Sequence, residues 1–184
     1  MMTATDMLHA PPQRSFWAKI APLPARVDAL VRKAADLLAP VADFLARYWV
    51  AGAFFSSGLS KTTTGSFVLF GHTFSYPLSL LPSESTFLLF ENEYQVPLLP
   101  PTLAAYMGTA AELLLPVFLF LGLGTRYAAL AMFAFNIVAV VSYPELMAAG
   151  LKDHQVWGFL LLITFCHGPG KLSLDHLIDR LVRR

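Results

Sequence analysis

The sequence predicts an all-α integral membrane protein: a four-helix bundle with a cytoplasmic amphipathic helix ahead of it and a long outer loop between the first two spans. Three observations predict it. The 184 residues are 56% apolar and only 14% charged, with mean hydropathy +0.58, whereas soluble domains carry about a quarter of their residues charged. Charged residues fence off four apolar stretches. Eleven of the thirteen lysines and arginines fall on one side when the spans are taken alternately.

The N-terminus is expected to be retained. Met1 to Gln13 holds Asp6, His9 and two prolines but no apolar run with a cleavage site, so the first span is the expected membrane address. Val27, Leu30, Val31, Ala34, Leu37, Leu38 and Val41 then recur at helical spacing, with Arg26, Asp28, Arg32, Lys33 and Asp36 on the other face. A helix lying on the cytoplasmic leaflet explains this pattern, and a partner-docking helix is the alternative. Residues 1–43 therefore read as a cytoplasmic tail and residues 44–184 as the transmembrane domain.

The first span covers about residues 44–62, and its uncharged centre, Tyr48 to Ser60, is short. Arg47 and Lys61 are expected to snorkel outward so that it matches roughly 30 Å of hydrocarbon. The loop from Thr63 to Pro101 is apolar for its length, with Phe67 to Phe70, Pro77 to Leu81 and Phe87 to Phe90. It reads as hairpin or helical pieces at the outer mouth, forming either a lid or interfacial packing. The second span, about 102–124, opens at Pro100-Pro101 and closes at Gly122 and Gly124; the third, about 126–145, is uncharged from Tyr127 to Pro144. The fourth, about 154–167, stops at Gly168-Pro169-Gly170.

One side collects Arg14, Lys19, Arg26, Arg32, Lys33, Arg47, Arg126, Lys171, Arg180, Arg183 and Arg184, leaving Lys61 and Lys152 opposite. By the positive-inside rule both termini are cytoplasmic. The net charge of +1 and the lack of a basic stripe exclude a nucleic-acid partner. Cys166 is the single cysteine, which leaves no intrachain disulfide or dithiol couple, so electrons would need a cofactor or another protein.

Glu112 is the only charge between Tyr94 and Thr125. Ten residues separate it from Thr102, about 15 Å of helix or roughly half of a 30 Å core. A carboxyl at that depth belongs against protein, a polar partner or water. Ala105, Gly108 and Thr109 form a small-residue stripe beside it, and Pro116 frees its backbone carbonyl. Asn136 reaches a similar depth on the third span, Lys61 closes the first, and His154 and Trp157 open the fourth. These residues read as the lining of one outward-facing polar path, with Glu112 either a proton-exchanging site or a helix-packing device. His154 reads more readily as an interfacial histidine than as a ligand, and Trp17, Trp49 and Trp157 suit interfacial anchors. Adjacent Cys166 and His167 point about 100° apart on a helix and have no second pair, so no metal site is expected.

Four segments in order resemble the DoxX family: Phe54-Phe55-Ser56-Ser57-Gly58-Leu59-Ser60-Lys61, then Glu112, then Gly122-Leu123-Gly124-Thr125-Arg126, then Gly168-Pro169-Gly170-Lys171-Leu172-Ser173-Leu174-Asp175. The resemblance covers about Arg47 to Leu177. It implies a multi-pass protein of the bacterial inner membrane, of a kind described as oxidoreductase subunits. Relatives of the DoxD type resemble a subunit of a thiosulfate to quinone oxidoreductase. Leu89 to Tyr94 followed by Val96 to Pro101 is similar to a subgroup encoded beside small metal-binding or modified peptides. No haem, flavin, iron-sulfur or nucleotide motif is evident. The cofactor is left unknown; for an electron-transfer role a quinone between the helices is the one that suits, with Glu112 as proton carrier and Lys61 and Asn136 as hydrogen-bonding partners, beside other membrane or redox subunits. A non-catalytic membrane partner, or a protein handling small solutes or metal-binding peptides, is the alternative. Gly52, Ser56 and Ser57 permit either packing within the chain or a homo-oligomer.

Overall fold

A computed structural model describes residues 22–76, 81–145 and 150–183. The expectations for Met1 to Gln13, for Arg14, Trp17 and Lys19, for Pro77 to Leu80 and for Arg184 lie outside the described residues. The chain divides into two compact units, Met1–Ala39 and Pro40–Arg184.

Helix α1 (Pro22–Ser60) contains both the amphipathic segment and the expected first span, with Pro40 inside it. In the first unit Val27, Leu30, Val31, Leu37 and Leu38 are exposed, and Arg32 Nε donates to Asp28 Oδ2 at 2.8 Å across one helical turn.

In the second unit the outer loop folds into a hairpin and a helix. Strands β1 (Gly65–Leu69) and β2 (His72–Tyr76) pair antiparallel, Gly65 opposite Tyr76 and Leu69 opposite His72. Phe70 and Gly71 turn the chain with φ of 51° and 77°, the left-handed conformation that two-residue hairpins require at both positions. Helix α2 (Glu84–Asn92) starts at Ser83, whose side chain caps the Thr86 N–H.

Helices α3 (Pro101–Leu121), α4 (Thr125–Ser142) and α5 (Leu151–His167) follow the expected spans closely. Pro101 stands at the first turn of α3, where a missing N–H costs nothing. Gly122 ends that helix at φ 67°, and a side chain there would also strike Arg47 and Ser173. Among the described residues, three helices are long and apolar enough to cross a bilayer: Ala25–Ser60, Pro101–Leu121 and Thr125–Ser142. Helix α5 has 17 residues, the lower end of the roughly 17–25 that a span needs.

All four long helices meet in one core, formed by Val50, Ala51 and Phe54 of α1, Leu119 of α3, Ala128, Ala129 and Met132 of α4, and Leu161 of α5. Outside it, Leu114, Val117, Phe118 and Leu121 are exposed on α3, as lipid contact requires. Lipid tails are as apolar as leucine, so close van der Waals packing carries the association of these helices. A final helix, α6 (Leu174–Val182), was not expected. Its signal is nonetheless in the sequence: Ser173 caps the His176 N–H, and Leu174, Leu177, Ile178 and Leu181 recur at helical spacing.

Candidate functional site

The last turn of α1 and the middle of α3 touch at a glycine. A Cβ at Gly58 would lie 3.0 Å from the backbone carbon of Glu112, so the missing side chain is what lets these helices approach. Just before and about one turn after Gly58 stand the polar groups that use the gap, Ser57 and Lys61. Lys61 Nζ donates to Glu112 Oε2 at 2.7 Å and Oε1 at 3.0 Å, and to Ser57 Oγ at 2.8 Å. The Ser57 hydroxyl donates in turn to Glu112 Oε1 at 3.2 Å. An ammonium has three protons to place, and each finds an acceptor. The side chains of Lys61 and Glu112 are only 10% and 9% exposed, and burial at that level is sustainable only with such complete pairing. Lys61 therefore turns inward rather than snorkelling.

The backbone of Lys61 is held as firmly as its side chain. Its carbonyl accepts the Ser83 N–H at 2.9 Å and the Thr86 hydroxyl at 2.7 Å, both from the start of α2. Phe90 of α2 lies against Gly108 of α3, where a Cβ would come within 3.0 Å of its ring. Phe90 stacks on Tyr94 at 4.7 Å, and Tyr94 stacks on Tyr143 at 4.7 Å. The Gln95 N–H donates to the Ser142 carbonyl at 2.7 Å, and the Tyr143 hydroxyl to Glu93 Oε2 at 3.1 Å. The loop is thus fastened across α3 to the end of α4.

Beneath it lies a cavity of about 250 Å³, bounded by Lys61 and Glu112, by Phe90, Tyr94, Val96 and Leu99 of the loop, and by Phe135 and Ser142 of α4. Burial, reinforced by the negative charges of Glu112, Tyr143 and Glu93, pushes the Tyr94 phenol up to about 12. It is a neutral wall of the cavity at physiological pH.

The other sequence candidates form a separate group. Asn136, 5% exposed, donates from Nδ2 to the His154 carbonyl at 3.0 Å, and its Oδ1 meets His154 Nδ1 at 2.7 Å. The first bond fixes the amide, so Nδ1 carries the imidazole proton that Oδ1 accepts. Trp157 packs edge-on to His154 at 4.8 Å and to Phe54 at 5.3 Å. The structure therefore brings Lys61 to Glu112 and Asn136 to His154, and does not join the two pairs by a hydrogen bond. The Phe54 ring, 6.1 Å from that of Phe135, belongs to the core on the Asn136 side of the cavity wall.

The family model for DoxX matches residues 42–144, the stretch that holds Ser57, Lys61, Glu112 and every wall of the cavity. The chain belongs to the DoxX family. With its spanning-length helices, it is a multi-pass membrane protein embedded in lipid. An uncharacterized protein of Haemophilus influenzae is 27% identical to it over 150 residues, covering 77% of this chain and 85% of that one. No solved structure matches.

Two of the four segments that carry the DoxX resemblance dock on each other at the opposite end of the bundle. Asp175 accepts the N–H groups of Gly124 and Thr125 and the Thr125 hydroxyl, each at 2.8 Å, and so caps α4 from the far end of the chain. Arg47, 1% exposed, donates to the carbonyls of Leu119 at 3.1 Å, Phe120 at 3.2 Å and Leu172 at 2.5 Å. It does not snorkel: the open carbonyls at the end of α3 bind it inside the protein. Arg47 and Asp175 were missed as key residues because a basic fence and a charged tail look alike in sequence whether they face water or backbone.

Asp175 gives a pH dependence. Partial burial raises its carboxyl, but the bonds from Thr125 and Gly124, aided by Arg47, outweigh this and hold it below the ordinary aspartate range. A depressed carboxyl contributes stability above its unfolded value and loses it as pH falls through the folded one. The melting-temperature gap between the wild type and Asp175→Asn is expected to be constant near neutrality and to close below about pH 4. Thermal scans of both proteins in detergent across that range measure it.

Proposed function

We propose that this DoxX-family protein is a quinone-linked redox subunit of a bacterial inner membrane, in which Glu112 exchanges the proton that quinone reduction consumes. Its four helices α1, α3, α4 and α5 cross the bilayer with both termini cytoplasmic, and residues 44–184 form the working domain behind a cytoplasmic tail, residues 1–43. The lysine and arginine asymmetry supports that orientation. The observation that carries the functional reading is the Ser57–Lys61–Glu112 group opening onto an apolar, aromatic-walled cavity. Ring-shaped ligands favour apolar walls with a few placed polar groups, and a buried carboxylate beside an ammonium is a source and sink for protons at low dielectric. A quinone taking two electrons from a partner subunit takes up two protons from water to become a quinol: Glu112 picks up one and passes it to the near ring oxygen, and the other reaches the far oxygen from water.

Glu112→Gln keeps the shape and one acceptor for Lys61 but carries no exchangeable carboxyl proton. In native membranes it is expected to assemble, with a lowered melting temperature because Lys61 keeps an uncompensated charge, while quinone reduction dependent on this protein falls about 100-fold or more. If turnover is unchanged and only the melting temperature drops, Glu112 is a packing device and the proposal fails. One observation favours that second reading, of a non-catalytic membrane partner or small-solute carrier: Ser57 and Glu112 satisfy every proton of Lys61. Purified protein that retains a metal or a peptide, but no quinone, would support it.

A further inference from the structure

Besides the Tyr94 phenol, the cavity wall holds a polar group that the proposed proton exchange does not use. Ser142, the last residue of α4, is fully buried, and its hydroxyl has no hydrogen-bond partner. Several helical hydroxyls in this chain satisfy themselves on a carbonyl one turn back: Ser56 on Ala53 at 3.0 Å, Ser60 on Ser57 at 2.7 Å, Thr164 on Leu160 at 2.8 Å; the Thr109 hydroxyl, buried on α3 but not a lining residue of the cavity, is unpartnered. Ser142 does not satisfy itself in this way, although a buried hydroxyl left alone costs about 1–3 kcal/mol. It stands on the stripe Phe135, Val138, Ala139 and Ser142 that forms the α4 wall of the cavity, spaced three, four and seven residues along one helical face.

We infer that Ser142 is the second polar anchor of this site, and that the ligand is a ring with an oxygen at each end, a para-quinone, held between Ser142 and the Lys61–Glu112 pair. The inference rests on the quinone reading of the cavity. A serine hydroxyl donates to a carbonyl and accepts from a hydroxyl, so it serves the quinone and the quinol alike. At the other end Glu112 accepts from the quinol, and Lys61 donates to the quinone by giving up its bond to Ser57. A trapped water is a poor substitute, because the cavity of about 250 Å³ far exceeds the roughly 30 Å³ share of one water, and its walls give water few partners.

The test uses the full chain in lipid nanodiscs with decylubiquinone, labelled with carbon-13 at one ring carbonyl or the other, and redox-difference infrared spectroscopy. Ser142→Ala is expected to leave the melting temperature of the quinone-free protein unchanged or slightly raised. It should weaken quinone binding about tenfold, the scale of one ordinary hydrogen bond, and move the band of one carbonyl only. Ser142→Thr should restore both affinity and band position, and Glu112→Gln should move the other carbonyl. If the wild type binds the probe and Ser142→Ala changes neither affinity nor either band, the anchor is overturned while the quinone reading stands. A wild type that binds no quinone overturns both.

Discussion

Lys61→Met with Glu112 intact is expected to destabilise the protein by about 3–5 kcal/mol, the usual effect of removing one partner of a buried ion pair. The cost is the carboxylate left behind. Glu112 would keep only the weaker bond from Ser57, at 3.2 Å, in an environment with little water to replace the ammonium. Combining Lys61→Met with Glu112→Leu should recover most of the loss, because two apolar side chains of similar volume fill the same space without a charge. Denaturant unfolding of the two single variants and the double variant in detergent gives the coupling directly. A Lys61→Met protein within about 1 kcal/mol of the wild type would show that the pair is not a structural unit.

The second large effect lies at the other end of the bundle. Arg47→Leu is expected to cost about 3 kcal/mol or more, since the carbonyls of Leu119, Phe120 and Leu172 all lose their donor at once and each buried unsatisfied acceptor costs about 1–3 kcal/mol. Arg47→Lys should rescue only part of this, because a single ammonium cannot reproduce the spread of a planar guanidinium. The segment after α5 should loosen first, exposing Lys171 and Arg180 to trypsin. Equal melting temperatures and digestion rates for Arg47→Leu and the wild type would contradict this account.

These two residues mark what the sequence could and could not reveal. Charge spacing located helices α3, α4 and α5 to within a few residues, because fences and breakers act locally. Position along each helix was legible too: Glu112 and Asn136 both stand near mid-helix. Azimuth was not. Two residues at one depth on different helices face each other only if both helices are turned correctly, and that rotation is set by packing such as the contact of Gly58 with Glu112. Hence Lys61 found Glu112, while Asn136 found the side chain and carbonyl of His154. The outer loop was readable as hairpin or helical pieces forming either a lid or interfacial packing, but the choice between the two was not, because the stacking of Tyr94 between Phe90 and Tyr143 joins residues from distant parts of the chain.

The carbonyl of Lys61 is gripped by the first turn of α2, while its ammonium grips Glu112. A single residue is therefore the hinge pin between the roof of the cavity and its charge. The two grips share one residue, so displacing the first turn of α2 would pull on the backbone of the side chain that neutralises Glu112.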